Sequence, residues 1–148
     1  MILLAKDIKR IVAYYKRKYG TSDPFKIAEA LHIELAIGDI GTRDGCYMYL
    51  KKHKCIFLNE NLDGFEKVFV MAHELGHAVM QPKENCYFIR NRTLLLNSKS
   101  EIEANKFAIE LLISDDDLAE YQKLGFTVEQ VARITGYHQK LIELRLKK

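Results

Sequence analysis

The chain has 148 residues, of which 48% are hydrophobic and 29% charged, and its net charge is +3. This composition fits one domain with a sizeable core, and the charge is too small to indicate nucleic-acid binding by itself. The apolar start, residues 2–5, is too short for a secretion signal and no apolar stretch is long enough to span a bilayer, so we expect a cytoplasmic protein without a membrane partner. Cys46, Cys55 and Cys86 are odd in number and lack a CxxC spacing, which favours reduced thiols.

The N-terminal part of the sequence predicts two helices followed by a strand. Pro24, at the first helical position after a polar run, predicts a short helix that ends near Leu31. Alternating apolar residues within 33–37 then predict a strand. The helix that precedes both is amphipathic, and its apolar residues recur at helical spacing: Ile8, Ile11, Val12, Tyr15 and Tyr19.

A hairpin and a longer helix are predicted next. Residues 46–50 and 55–58 are apolar runs joined by the polar turn 51–54, a pattern typical of a β-hairpin. Asp63 is an N-cap candidate for the following helix, and Pro82 ends it. Between these limits apolar or small residues recur every three or four positions, as in a helix packed in a core: Phe65, Val68, Phe69, Ala72, Gly76, Val79 and Met80.

This predicted helix contains the sequence HELGH. A helix rises ~1.5 Å per residue at 3.6 residues per turn, so His73 and His77 lie on one face about 6 Å apart and can bind the same metal ion. Glu74 lies roughly 100° around the helix from His73, where it can reach a water molecule on that metal as a general base. This arrangement is typical of zinc hydrolases. The alternative is a buried helix whose histidines only bind backbone acceptors.

The third ligand must come from another segment, because a zinc hydrolase holds its ion with three protein ligands and leaves one position for water. Residues 100–112 predict a second core helix. Glu101 projects about 50° from the centre of its inward stripe and Glu103 about 110°, which favours Glu101 as the ligand and leaves Glu103 as the alternative. Both acids also fit a capping box with a serine three residues earlier. We expect Asn105, one turn later, to hold the carboxylate of Glu101.

The C-terminal part predicts further helices. Ser114 or Asp115 can cap the first of them, and residues 127–130 match a capping box for the next. Arg133 in the first of the last two helices and Lys140 in the second make only a thin phosphate-binding face, and a single DNA-reading unit normally needs a dimer. We therefore favour a subdomain that packs on the core or docks a substrate over a DNA reader. The DNA-reading interpretation depends on three positions that match a helix-turn-helix: Ala132, Gly136 and Ile142.

The motifs HELGHAV and EIEANKFAIELL, together with the weaker CIFLNENL before the first of them, resemble the ImmA/IrrE-type metallopeptidases. The resemblance extends over most of the chain. It implies a zinc-dependent endopeptidase in which His73, His77 and Glu101 match the metal ligands and Glu74 matches the catalytic acid. It also implies a substrate class, since members of this family typically act on helix-turn-helix repressors, often those encoded beside them in phages and other mobile elements. One departure is Gln81, where the family commonly has a histidine.

These observations together predict an α+β fold, a mostly helical, zincin-like domain with a small antiparallel sheet or hairpin beside the HELGH helix. We expect one domain over residues 1–148, with a catalytic core to about residue 113 and a helical C-terminal subdomain over 114–148. The expected function is Zn²⁺-dependent cleavage of a helix-turn-helix repressor, which relieves repression of a phage or mobile element. The alternatives are a non-proteolytic zinc-containing regulator that binds DNA or a partner protein, and a component of a toxin-antitoxin pair.

Overall fold

The computed structural model describes residues 5–84 and 98–147. The described chain is mostly helical with one small sheet, which confirms the predicted α+β class. Its elements, in chain order, are α1 (Ala5–Tyr19), α2 (Pro24–Ala30), β1 (Glu34–Gly38), β2 (Gly45–Leu50), β3 (His53–Asn59), α3 (Gly64–Met80), α4 (Lys99–Leu112), α5 (Asp115–Lys123), α6 (Val128–Thr135) and α7 (Gln139–Leu146).

Short polar side chains set the starts of the helices, because the first backbone N–H groups of a helix have no partner within it. Asp23 accepts a hydrogen bond from the N–H of Phe25, 2.9 Å away, at the start of α2. Ser98 and Ser114 cap α4 and α5 in the same way. The predicted capping box at the start of α6 is confirmed: Thr127 and Gln130 each accept from the other's N–H.

The sheet has the order β1-β3-β2. The predicted hairpin is confirmed as the antiparallel pair β2 and β3. Its turn is shorter than expected, because Lys51 and Lys52 both have positive φ, 49° and 65°, and form a two-residue connection, so that His53 already belongs to β3. β1 pairs parallel with β3, so the sheet is mixed rather than wholly antiparallel. The pairing direction of β1 depends on a long-range contact that local alternation does not encode.

The core lies where α3 crosses between the sheet and α4. Residues 69–78 of α3 are all buried, which makes it the central helix of the described chain. Gly76 allows α4 to approach closely, since a Cβ at this position would lie 3.1 Å from the Cβ of Phe107. The fully buried side chains around this contact include Ile27, Ile56, Leu58, Met71, Leu75, Leu111 and Ile142.

The C-terminal helices pack on this core. α7 contacts α4 and buries Leu141 and Ile142. Arg145 of the same helix is buried as well, and its side chain donates to the carbonyl oxygen of Ile113 at 2.9 Å. This arrangement agrees with the packing role that we favoured for the tail. Among the described helices, none has the length and apolar character needed to cross a membrane.

The cysteine prediction is confirmed at one position and wrong at another. Cys55 carries a free thiol, as expected. Cys46 takes part in a disulfide, which contradicts the expectation of reduced thiols. Neither an odd number of cysteines nor the absence of a CxxC spacing excludes one long-range pair, because separation along the chain does not report proximity in space. Cys86 lies outside the described residues.

Candidate metal centre

The predicted ligand residues of α3 and α4 meet in the core. His73 and His77 lie on one face of α3 and Glu74 lies next to that face, and the three residues are 0%, 6% and 3% exposed, respectively. Glu101, in the first turn of α4, is 3% exposed and faces the two histidines. Buried charged side chains are rare in proteins unless they are paired or bind a metal. The packing of α3 on α4 therefore assembles a site rather than an ordinary apolar contact.

The atoms that converge are all possible metal ligands. The Nε2 atoms of His73 and His77 lie 3.2 Å apart. One carboxylate oxygen of Glu101 lies 3.0 Å from Nε2 of His73, and the other lies 2.7 Å from Nε2 of His77. The three side chains form the group that could hold a metal ion among the described residues, with ligand atoms within 4.8 Å of one another.

The second ring nitrogens determine the tautomers of both histidines. Nδ1 of His73 lies 2.7 Å from Oδ1 of Asn105, and Nδ1 of His77 lies 2.7 Å from Oε1 of Gln81. An amide oxygen can only accept a hydrogen bond, so each Nδ1 carries the proton. In a neutral imidazole, Nε2 is then a lone-pair acceptor. Two nitrogen lone pairs and a carboxylate therefore face one another, an arrangement that needs a cation between them.

The donor set fits zinc. Ligands at ~2.0–2.1 Å from a tetrahedral Zn²⁺ lie about 3.3 Å apart, close to the 3.2 Å between the two imidazole nitrogens. Oε2 of Glu101 is buried and lacks a directed hydrogen bond, although it lies 2.7 Å from Nε2 of His77. Two histidines and one carboxylate also match the donor sets of catalytic zinc sites.

Without a cation, the same cluster can be held only by a shared proton. Burial alone would lower the pKa of His77, but the hydrogen bond with Glu101 and the charges of Glu74 and Glu101 raise it to about 9. Burial alone would raise the pKa of Glu101, but its interactions with His73 and His77 lower it to about 2. Metal binding must therefore displace a proton from this site.

The structure distinguishes between the two candidates for the third ligand, Glu101 and Glu103. Glu101 faces the histidines, whereas Glu103 accepts a hydrogen bond from Nε2 of Gln81 at 3.0 Å. Ser98 caps the N–H of Glu101, but the Glu101 side chain is turned to the histidines, so the alternative capping box does not form. The expected partner of Asn105 was wrong: its oxygen pairs with Nδ1 of His73 instead of its amide holding Glu101, because the packing of α4 on α3 brings the ring of His73 within reach.

Glu74 lies beside these groups, next to the start of β2. A Cβ on Gly45 would lie 3.2 Å from Cγ of Glu74 and 2.6 Å from a methyl group of Val70, so only glycine lets the strand approach this carboxylate. Burial raises the pKa of Glu74, the nearby His73 and His77 oppose this rise, and the carboxylates of Glu101 and Asp44 add to it. A carboxyl group with a raised pKa beside a metal site is suited to accept and return a proton.

Comparison with known proteins agrees with this geometry. The profile of the IrrE N-terminal-like domain, a peptidase family, matches residues 28–147. The chain belongs to this family. The resemblance predicted from the motifs is thus confirmed, and the match includes both α3 and α4 as well as the C-terminal helices.

Two relatives support the same assignment. An uncharacterized immunity region protein 2 of Bacillus phage phi105 is 37% identical over 139 residues, which cover 93% of this chain and 88% of the relative. The metallopeptidase ImmA of Bacillus subtilis (strain 168) is 33% identical over 135 residues, which cover 88% of this chain and 79% of the relative. The chain is therefore a metallopeptidase-like member of the IrrE N-terminal-like family, similar over most of its length to a phage immunity-region protein.

Some features of the site were not predicted from the sequence. The link from Gln81 to Glu103 joins residues 22 positions apart and has no local signal. Gly45 and Asp44 approach Glu74 from a different element, and only the fold brings them there. Tyr47, which a sequence reading would offer as a hydroxyl donor near the site, donates its hydroxyl to the carbonyl of Pro82. It is therefore a packed side chain, and burial raises its pKa to about 12.

Proposed function

We propose that this protein is a zinc-dependent endopeptidase. In this proposal His73, His77 and Glu101 hold the zinc ion and Glu74 is the general base. The observation that supports it most directly is the convergence of two imidazole lone pairs and a buried carboxylate, with a second buried carboxyl group beside them. If this cluster only stabilised the core, apolar side chains of similar size would do so at least as well as four buried polar ones.

The proposed chemistry assigns one task to each group. Bound zinc would polarise the scissile carbonyl and lower the pKa of the attacking water towards ~7. Glu74 takes the proton from that water and then delivers it to the nitrogen of the leaving amine. Asn105 and Gln81 hold the Nδ1 protons of His73 and His77, so that each Nε2 keeps a free lone pair.

The proposed substrate is a helix-turn-helix repressor that acts in the cytoplasm, encoded beside this protein in a phage or other mobile element. The support for this class is the similarity to a phage protein named for its immunity region and to the metallopeptidase ImmA. Residues 1–148 would act as one unit, with a catalytic core to about residue 113. The helices of 114–148 would complete its surface.

The test is cleavage of that repressor by purified protein. We expect a single cut, identified by mass spectrometry, that 1,10-phenanthroline abolishes and added Zn²⁺ restores. Metal analysis of the purified protein should find about one zinc per chain. Cleavage that persists with chelator, or that another divalent metal supports better than zinc at equal loading, would contradict the zinc assignment.

A DNA-binding regulator is the second candidate, because α6, the turn at Gly136 and α7 form a helix-turn-helix arrangement. Two contacts argue against it. The inward face of α7 is used to pack on α4, and Arg145 is buried in an internal ion pair. A gel shift with operator DNA in the presence of chelator would favour this candidate, whereas we expect no shift.

A further inference from the structure

A cleft of about 690 Å³ lies against the N-terminal half of α3, one turn before the candidate metal ligands of that helix. Three segments form its walls: the loop that precedes β2, the first turns of α3 with the residues just before them, and the turn between α6 and α7. The volume lies within the range of ~300–1,000 Å³ that is typical of ligand pockets. We call it the Tyr137 cleft, and its lining residues include Arg43, Asn61, Phe65, Phe69, Tyr137 and Leu141.

The Tyr137 cleft is continuous with the face of α3 that holds the metal ligands. Phe69 and Val70 line the cleft, and His73 and Glu74 follow them one turn later on the same face. The rings of Phe69 and His73 are in contact, with centroids 6.1 Å apart. A peptide that places its scissile bond beside Glu74 therefore has this cleft as its neighbouring surface.

One wall of the cleft is held rigidly by Asn59. Its side-chain amide donates to the carbonyl of Gly41 at 3.0 Å and to that of Arg43 at 2.8 Å. Its backbone N–H donates to the carbonyl of Asp44 at 2.9 Å. These three bonds fix the loop before β2, which places Gly45 beside Glu74. The cleft is thus a formed surface and not a gap left by a free loop.

The C-terminal segment supplies the opposite wall. Gly136 has a φ of +81° and contacts the ring of Phe65 so closely that a Cβ could be accommodated only if this ring shifted. The ring of Tyr137 packs edge-on against Phe65 at 5.9 Å and tilted against Phe69 at 6.4 Å. Residues 136–141 therefore complete the cleft and pack on α3, which is a reason for the tail to belong to the catalytic unit.

We propose that the Tyr137 cleft binds the substrate peptide next to the scissile bond and selects a bulky apolar side chain there, such as leucine, methionine or an aromatic residue. This inference rests on the proposed peptidase function. Phe65, Phe69 and Tyr137 provide aromatic faces that an apolar side chain would cover. Asn61 also lines the cleft, and its amide can form hydrogen bonds with the peptide backbone.

The first experiment measures cleavage preference. Zinc-loaded protein is incubated with a mixture of random decapeptides, and the cut sites are read by mass spectrometry. We expect bulky apolar residues to be enriched at one fixed position relative to the cut bond. Phe65→Ala should lower kcat/KM about tenfold for a peptide with leucine at that position, and less than about twofold for the matched serine peptide, because small changes in an apolar pocket alter discrimination by about 10–200-fold.

Leu124→Ala is the matched control. Leu124 is 57% exposed and Phe65 is 56% exposed, so both substitutions remove a similarly accessible side chain, but Leu124 does not line the cleft. In this control variant, kcat/KM for both peptides should equal the wild-type values. Cleavage without a preferred position, or an equal loss for the leucine and serine peptides in Phe65→Ala, would overturn the inference.

The second experiment does not depend on catalysis. N-acetyl-phenylalaninamide and N-acetyl-serinamide are titrated into metal-free protein while the aromatic NMR signals of Phe65, Phe69 and Tyr137 are followed. We expect saturable shifts with the first compound only, and their loss in Phe65→Ala. If the protein cuts no peptide, the proposed function fails, and this titration by itself then tests whether the cleft binds an apolar side chain. The absence of saturable shifts at these rings would overturn it.

Discussion

Gln81 and Glu103 form a hydrogen bond behind the metal centre, with Nε2 of Gln81 donating to the carboxylate at 3.0 Å. This bond leaves Oε1 of Gln81 facing Nδ1 of His77, 2.7 Å away. The amide of Gln81 thereby connects Glu103 on α4 with His77 on α3 through two hydrogen bonds. Glu103, the alternative ligand in the sequence analysis, therefore contacts Gln81 rather than the two histidines, and in the proposed zinc site it would support a ligand instead of being one.

Replacing Gln81 should weaken metal binding without removing a ligand. In Gln81→Leu the Nδ1 proton of His77 loses its acceptor, so the ring can rotate and change tautomer. Loss of such an outer hydrogen bond typically lowers metal affinity about 10–100-fold. Competition with a chelating dye measures the affinity, and the tautomer of His77 can be read from its ¹⁵N chemical shifts.

Gln122→Leu is the control for this variant, since Gln122 is exposed on α5 and the substitution is the same. It should bind zinc as the wild type does. Equal zinc affinity in Gln81→Leu and Gln122→Leu would show that the contact with His77 has no part in holding the ion.

Glu74 and His77 should separate metal binding from cleavage. Glu74→Gln keeps the size of the side chain but cannot take a proton, so we expect about one zinc per chain and a rate reduced by at least ~10²-fold. His77→Ala removes a ligand, so both zinc and activity should be lost. Metal analysis and repressor cleavage, measured on the same preparations, check both outcomes. Full activity in zinc-loaded Glu74→Gln would refute the assignment of the base.

Much of this site could be predicted from the sequence because its strongest signal is local. His73, Glu74 and His77 lie within one helix, and helical geometry alone places both imidazoles on one face. The choice of Glu101 over Glu103 also follows from the helical wheel, since the two acids differ in their angle from an apolar stripe that must face the core. Both acids are buried in the structure, but only Glu101 faces the histidines, whereas Glu103 accepts a hydrogen bond from Gln81.

What could not be predicted depends on contacts between distant segments. The parallel pairing of β1 with β3, the disulfide of Cys46 and the approach of Gly45 to Glu74 all join separate elements. Asn105 was assigned to the wrong partner for a related reason. Helix spacing places it one turn from Glu101, but only the packing of α4 on α3 brings the ring of His73 within its reach.

Gly76 provides a test of how packing sets the ligand geometry. A Cβ here would lie 3.1 Å from Phe107, so the larger side chain of valine requires Phe107 to shift, and we expect α3 and α4 to move apart with it. We expect Gly76→Val to destabilise the protein by about 1–3 kcal/mol, as overpacking of a core does. The displacement also separates His77 from Glu101, so zinc affinity should fall as well. Chemical denaturation and dye competition measure the two effects.

The control for Gly76 is Gly38→Val, because a Cβ on Gly38 would meet no atom within 4 Å. This variant should retain zinc affinity. Wild-type stability and wild-type zinc affinity in Gly76→Val would show that the close approach of α3 to α4 at Gly76 does not set the geometry of the ligands.

Arg145 should contribute to stability through a buried ion pair that is separate from the metal centre. Its guanidinium lies 3.2 Å from Glu110 and 2.8 Å from Asp115, and its side chain is 4% exposed. Arg145→Ala removes the guanidinium that pairs with Glu110 and the donor to the carbonyl oxygen of Ile113. Removing one partner of a buried pair costs about 3–5 kcal/mol, and the exposure of Asp115 reduces this to about 2–4 kcal/mol. Arg133→Ala, at an exposed position, should cost less than about 0.5 kcal/mol.

The same ion pairs predict how stability depends on pH. Hydrogen bonds from Lys9 and Arg145 lower the pKa of Asp115 from 3.8 to about 2. A carboxyl group whose pKa is lower in the folded state stabilises the protein fully above its unfolded pKa, and this contribution is lost as the pH falls through the folded value. The free energy of unfolding of wild-type protein should therefore decrease between about pH 4 and pH 2, and Asp115→Asn should decrease less over this interval. Because the chain has no tryptophan, circular dichroism in urea, with chelator present to exclude metal effects, is the suitable measurement. Identical slopes for the two proteins would show that Asp115 is not held by these cations in solution.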